Sequence, residues 1–444
     1  MLAMATKLLR SPLVIWMNGI RVGVWNPPVS NASSFQYDPE WIDAPERRVL
    51  SLSLPFTPGN VPLRGKMVTD FFDNLLPDTE EIRRRIMSRY RTRSTKPFDL
   101  LAAVGRECVG AIQLLQVGES PVGFDRIEGE VLDEKGVEQA LNAAISGSPL
   151  MAMDAEEEFR ISIAGAQEKT AFLFHKGRWC RPTGATPTTH IFKLPLGLIG
   201  NLQVDMQGSV ENEWISSRIM NAFGLKTAEC EILRFGDRKV LSVKRFDRVL
   251  MDGSWIARLP QEDFCQALGV PVTQKYENQG GPGIAKILGV LNASSTSVED
   301  KRAFVKAQIV FWLTAATDGH AKNFSIFHER GGTYRLTPFY DVLSMWPVIG
   351  HGTGLLDLRR ATMAMAVKGK SLHRKIQEIH PYHWDEAARL AGLGNASDLI
   401  EEIIEQVPGV LELVDRETPS DFPGKIRDSI FEGIRNQTEK LKAA

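Results

Sequence analysis

Cysteine is scarce. Cys108, Cys180, Cys230 and Cys265 are the only four among 444 residues, too far apart for a C-x-x-C pair or a dense disulfide framework. Thiols so dispersed are expected to be reduced, as in a cytosolic protein. Net charge is scarce as well: 53 basic against 54 acidic residues leave −1, so no global basic field draws the chain to nucleic acid. Any such role must be local or borrowed from a partner. No apolar run reaches the roughly 20 residues that span a bilayer. The stretch MLAMATKLLRSPLVIWMNGIRVGVW opens with positive charge, but Pro12 and an Asn-Gly turn interrupt it before a signal-like core develops. A soluble, cytoplasmic protein with no membrane partner is expected. Neither a fixed-period repeat nor a low-complexity tract stands out.

What is present is ordinary globular material, 43% hydrophobic and 24% charged. A chain of this length holds roughly two or three domains. Three blocks can be read. In residues 1–125, VIWMNGIRVGVW gives a hairpin around Asn18-Gly19, because Asn-Gly supplies the positive φ angles of a tight turn. VLSLSLPF alternates like a further strand, TDFFDNLLPDTEEIRRRIMSRY gives helices broken near Pro77, and FDLLAAVGRECVGAIQLLQV reads as helix, glycine break and strand. In residues 126–255, a polar connecting stretch to about residue 150 precedes β-type runs on both sides of AGAQEK. A strand in THIFKLP, a helix in ENEWISSRIMNAFGL and a hairpin around Gly236-Asp237 follow. In residues 256–444 helical patterns dominate, and one hairpin interrupts them, NFSIFH and TYRLTPFYD flanking ERGG.

That hairpin follows TDGHAKN, residues 317–323, and brings the chain back so that Asp341 returns toward Asn323 and Asp318. Two carboxylates and an amide oxygen then converge, hard ligands suited to Mg²⁺ completed by water and phosphate oxygens. Asp318 to Asn323 also has the D-x-x-x-x-N spacing of a kinase catalytic loop, in which the aspartate meets the substrate hydroxyl and the asparagine holds metal. Alone this spacing is weak, since Asp and Asn are common in turns.

The upstream parts decide the reading. SIAGAQEKT can present backbone N–H groups to phosphate oxygens, although its single glycine fits neither G-x-G-x-x-G nor the Walker pattern. Lys193, charged in an otherwise apolar strand, matches the V-A-I-K lysine; alone it could equally snorkel from a strand edge. Asn212 or Glu213 on the next helix is placed to orient Lys193, or simply to complement the helix dipole. LSVKRFDR stands where a hinge would meet adenine through backbone groups, which brings in Lys244 and Phe246.

From VIWMNGIRVG and LSLSLP through FFDNLLPD, FDLL, ISIAGAQEKT, THIFKLP, RFDR, LPQEDFCQ, GGPGIA, TDGHAKNFS and YRLTPFYD, nearly the whole chain resembles the HipA-type serine/threonine kinase toxins of bacterial toxin-antitoxin modules. The resemblance implies an α+β, protein-kinase-like two-lobed fold with an extra N-terminal subdomain, ATP and Mg²⁺ as cofactors, and a protein serine as acceptor. It assigns Asp318 as the catalytic aspartate and Asn323 and Asp341 as metal ligands. Ile163, Ala164, Gly165, Ala166, Gln167, Glu168 and Lys169 become the phosphate loop, and Lys193, Lys244, Phe246 and His320 further nucleotide contacts. Ser162 becomes an autophosphorylation site, where up to about two added negative charges would repel nucleotide phosphates. The partners implied are glutamyl-tRNA synthetase as substrate and a helix-turn-helix antitoxin dimer that carries the toxin to operator DNA, hence to the nucleoid. Lys244 departs from the pattern, because an acidic residue often precedes RFDR in related proteins.

A small-molecule phosphotransferase would use the same nucleotide machinery, and a non-catalytic corepressor would need none of it. Arg83, Arg84, Arg85, Arg89, Arg91, Arg93 and Lys96 form the strongest cationic cluster. With Tyr90 the only aromatic among them, a solvated helix face is expected rather than a base-stacking surface.

Overall fold

The computed structural model describes residues 10–29, 32–146, 167, 169–199 and 204–443. At the N-terminal end, Asn18 (φ 46°) and Gly19 (φ 81°) make the expected turn between the strands Leu13–Met17 and Ile20–Val29. These sit in a five-stranded sheet whose spatial order is Leu63–Arg64, Ala32–Tyr37, Ile20–Val29, Leu13–Met17, Ile112–Gln116. The helices Lys66–Asp73 and Pro97–Val104 seal it, with Trp25 stacked on Phe72 at 3.9 Å. The alternating stretch VLSLSLPF is not the strand its pattern suggests. It makes a tight turn bridged only at Ser51 and Leu54, and its polar groups bond to the third block: Leu52 N–H donates to Glu262 (2.9 Å), and the Ser51 and Ser53 hydroxyls donate to the Gln266 carbonyl. Its alternation records Leu50 and Leu54 entering the core, not a ladder.

The second sheet has the order Cys230–Phe235, Arg238–Lys244, His190–Lys193, Lys169–His175, Arg178–Pro182, Gly129–Val131. Its edge strand and the helix Glu134–Ser146 come from the stretch expected merely to connect. Val137 and Leu141 of that helix pack with Phe192 and Val240. The helix Ser209–Ala222 is buried on nearly every side, and its Trp214, Ile215 and Ile219 join the core of the helices Ser297–Leu313, Ser397–Glu417 and Gly424–Lys442. This helix therefore anchors the middle block in the core of the helical block, while Phe192 and Val240 belong to a separate cluster of the sheet.

In the helical part, Gln261–Asp263 pairs with Ser325–His328, which pairs with Tyr334–Leu336. A second hairpin, Thr362–Lys368 with Leu372–Lys375, corrects the expectation of one. Its Met-Ala-Met-Ala composition hid the strand, since those residues favour helices. A sheet lobe and a helical lobe thus face each other across a cleft, the α+β, kinase-like arrangement the sequence implied. All four cysteines are buried and unpaired, and among the described residues no helix is long and apolar enough to cross a membrane.

Candidate active site

The helix Ser297–Leu313 delivers its buried end to the loop of residues 317–323, which is stitched by backbone groups. His320 N–H donates to the Asp318 carbonyl (2.7 Å) and Asn323 N–H to the His320 carbonyl (2.9 Å). The Asn323 side-chain amide also donates to the Asp318 carbonyl at 2.8 Å, which leaves its oxygen for a ligand. Beyond the hairpin, Asp341 sits in the left-handed region (φ 61°), a conformation Asp tolerates better than most residues, and lines the same cavity as Asp318, His320 and Asn323.

There Asp341 meets Lys193. The lysine donates to Asp341 at 2.8 Å and to Glu213 at 2.5 Å, so one ammonium is shared by two carboxylates from different parts of the fold. Of the two helix residues that could orient it, Glu213 does; Asn212 instead bonds the backbone of Ser344. Burial opposes charge on Lys193, yet Asp341 and Glu213 outweigh it and hold the amine above its ordinary value. Against the same burial penalty, Lys193 and Lys169 draw Asp341 down to about 2. Burial wins at Glu213, whose carboxyl stays above the usual range despite Lys193.

Gln167, Lys169, Lys193, Lys244, Phe246, Asp318, His320, Asn323 and Asp341 all line one cavity of about 210 Å³. Gln167 is fastened beside the lysine strand by a bond to the Leu194 carbonyl (2.5 Å). Ser162, Ile163, Ala164, Gly165, Ala166 and Glu168 lie outside the described residues. Lys244 turns its amine outward to Glu229 (2.8 Å), and Phe246 forms a wall against Phe327 and Tyr340. His320 is buried, its Nδ1 has no partner, and burial holds its imidazole below the ordinary value. A larger groove, about 840 Å³, lies between Ser397–Glu417 and Gly424–Lys442 and contains none of these residues.

Several residues at this cleft were not foreseen. Tyr276 donates its hydroxyl to Asp318 at 2.5 Å. Asp78, from FFDNLLPD, binds Lys275 and Lys322 at 2.6 and 3.0 Å. RFDR is less a surface hinge than a buried knot: Arg245 and Arg248 bond Glu107, Asp247 and the Cys108 carbonyl, joined from the next strand by Arg258. Arg83 also leaves the expected solvated face, being buried against Asp73 and the Pro77 carbonyl. A lone acid in the N-terminal block gives no spacing signal toward partners so remote in sequence.

The donor set fits a nucleotide with a divalent cation. Among the described residues no three His, Cys, Asp or Glu side chains form a metal cage of their own, whereas Asp341 and the free Asn323 oxygen supply the few ligands a cation held largely by phosphate and water requires. The orphaned His320 nitrogen is a further polar group awaiting a ligand.

Comparison with known proteins finds relatives along nearly the whole chain. The HipA-like C-terminal domain matches residues 161–411 and the HipA N-terminal domain residues 13–115. A Sinorhizobium fredii protein named "Putative kinase Y4mE" is 30% identical over 413 residues, covering 90% of this chain and 92% of its own length. The serine/threonine-protein kinase toxin HipA of Shewanella oneidensis is 27% identical over 308 residues, 66% of this chain and 67% of that one. The solved HipA, HipB and operator DNA complex of the same organism has a chain of similar fold, with a TM-score of 0.76 at 20% identity, covering 97% of this chain and 99% of that one.

Proposed function

The chain belongs to the HipA family, and from that premise and the geometry of the cleft we propose that it is an ATP-dependent protein serine kinase acting as the toxin of a toxin-antitoxin module. The observation that carries this reading is the shared ammonium: Lys193 reaches Asp341 at 2.8 Å and Glu213 at 2.5 Å on the wall of the cavity that holds Asp318 and Asn323. These are the parts phosphoryl transfer needs, a lysine for phosphate oxygens, an acid that orients it, oxygen ligands for metal and an aspartate for the acceptor hydroxyl.

In this reading Lys193 contacts the phosphates, and residues 163–169, Lys169 among them, form the phosphate loop. Asn323 and Asp341 hold Mg²⁺, which when bound neutralises charge on the transferring phosphate. Asp318 orients the acceptor hydroxyl and takes its proton. Lys244 and Phe246 border the adenine side, Lys244 through its backbone, since its side chain points to Glu229. Ser162 is the site of self-modification. The protein substrate is a translation component such as glutamyl-tRNA synthetase. A helix-turn-helix antitoxin dimer neutralises the toxin in the cytoplasm and holds it on operator DNA, a partnership supported by the HipA, HipB and operator DNA complex of similar fold.

The test is a cell lysate incubated with radiolabelled ATP and either wild type or Asp318→Asn. Labelled protein bands that fall about a hundredfold or more in the variant are expected from the loss of a general base. Label confined to metabolites points to a small-molecule phosphotransferase, and no transfer to a corepressor; either result overturns the reading.

A further inference from the structure

Asp78 belongs to the N-terminal unit, yet its carboxylate lies in the active-site cavity. Lys275 donates to one of its oxygens at 2.6 Å and Lys322 to the other at 3.0 Å, and Lys322 also donates to the Asn74 carbonyl of the same unit at 3.1 Å. Little of these side chains meets solvent: 10% for Asp78, 15% for Lys275 and 4% for Lys322.

The two lysines belong to the two segments that frame Asp318. Lys322 is in the loop itself. Lys275 accepts a bond from Ala321 N–H at 3.3 Å through its carbonyl, and its neighbour Tyr276 donates its hydroxyl to Asp318 at 2.5 Å. One carboxylate therefore grips the catalytic loop on one side and, on the other, the segment whose tyrosine fixes the carboxylate of Asp318. A buried ion pair adds little to stability against well-packed apolar side chains, but it fixes geometry, because each charge is costly to leave unpaired. Here the geometry fixed is that of the residue assigned to the acceptor hydroxyl.

We propose that Asp78 is a positioning residue for phosphoryl transfer, holding Lys275 and Lys322 so that Tyr276 orients Asp318, and that the N-terminal unit thereby completes the active site. The inference rests on the kinase reading above.

The test uses the full chain, with label transfer from ATP to the lysate proteins that wild type modifies, at varied ATP. Asp78→Asn is expected to lower kcat about tenfold to hundredfold, the scale of a small misplacement of a catalytic group, while KM for ATP stays within about twofold. Tyr276→Phe is expected to lower kcat as well, and the double variant to be no worse than Asp78→Asn, because both act on the same carboxylate. A wild-type kcat in Asp78→Asn, or losses that multiply in the double variant, overturns the proposal. Inactive wild type sinks the kinase reading itself and this inference with it, whereas active wild type isolates the role of Asp78. Should Asp78→Asn fail to melt cooperatively, Lys275→Met breaks the same link at a less buried residue: a kcat loss with retained KM supports the proposal, and an unchanged kcat overturns it.

Discussion

Glu107 and Arg258 stand 151 positions apart in sequence, yet the Arg258 guanidinium donates to a Glu107 oxygen at 2.8 Å. Arg245 and Arg248 reach the other Glu107 oxygen at 2.9 and 3.0 Å. One buried carboxylate, in the loop before the strand Ile112–Gln116, thus ties the N-terminal block to the arginines of the RFDR knot and to Arg258. Glu107→Gln leaves these guanidinium groups short of their shared anion and is expected to cost about 3–5 kcal/mol, the penalty for breaking a buried pair from one side. Denaturant unfolding checks it. Burial opposes the charge, but the three arginines outweigh it and hold the Glu107 carboxyl far below its ordinary 4.5. This stabilisation is therefore fully present above pH 4.5 and is lost on acidification, so the gap between variant and wild type should narrow as pH falls. An unfolding midpoint equal to wild type at neutral pH would contradict the assignment.

Much of the cleft could be read from the chain because its signals are short-range. Asp318 and Asn323 share one loop, Asp341 returns on a hairpin with only ERGGT between its paired strands, and Lys193 is conspicuous in an apolar strand. The choice between Asn212 and Glu213 was not legible, since neighbours on a helix point in different directions and only the packing of Ser209–Ala222 decides which meets Lys193. Asp78 and Glu107 were invisible for another reason: their partners are long-range, 244 positions away for Lys322, and pairing at such distance leaves no periodicity. Around Ser51, alternation reports which side chains are buried, and a turn docked on another block satisfies it as well as a strand does.

Glu213→Gln should leave Lys193 with Asp341 as its single charged partner. Losing one charge-assisted hydrogen bond, about 1.5–3 kcal/mol, corresponds to roughly a tenfold or greater rise in KM for ATP. Initial rates at varied ATP measure it. Asn212→Asp, which alters a residue bonded to Ser344 and not to Lys193, should not reproduce the effect; if it does, the helix as a whole and not Glu213 controls the site.

Lys169 gives the cleft a pH dependence. Burial pushes its amine down to about 8, with Asp341 opposing. On the kinase reading the charged amine draws phosphate oxygens below about pH 8; above it the charge is shed, so affinity for ATP should fall across that value. The same shift sets a stability trend. The folded value lies below the unfolded 10.5, so the unfolded chain binds more protons between about 8 and 10.5, and stability without nucleotide should rise with pH across that window. Lys169→Met should flatten both profiles. Titrations with a fluorescent ATP analogue and melts at stepped pH give the two readings, and a wild-type affinity that is level through pH 8 would exclude the role.

Gly319, between Asp318 and His320, has no room for a side chain. A Cβ there would lie 2.6 Å from two ring atoms of Phe311, closer than real contacts allow. That ring is 3% exposed and packs on Phe324 at 5.8 Å, so it has little space to retreat. The loop must yield instead, and Asp318 moves with it. Gly319→Ala is therefore expected to lower kcat about tenfold to hundredfold, following the cost of small misplacements at a reacting centre, while nucleotide binding, which the kinase reading assigns to Lys193 and Lys169, changes little. Gly289→Ala is the matching control. It lies in the helix Ile284–Leu291, and a methyl group there meets nothing within 4 Å. It should leave kcat unchanged and stabilise the helix by up to about 1 kcal/mol. If Gly319→Ala and Gly289→Ala share wild-type kcat, the loop tolerates displacement and the placement of Asp318 is not what limits the rate.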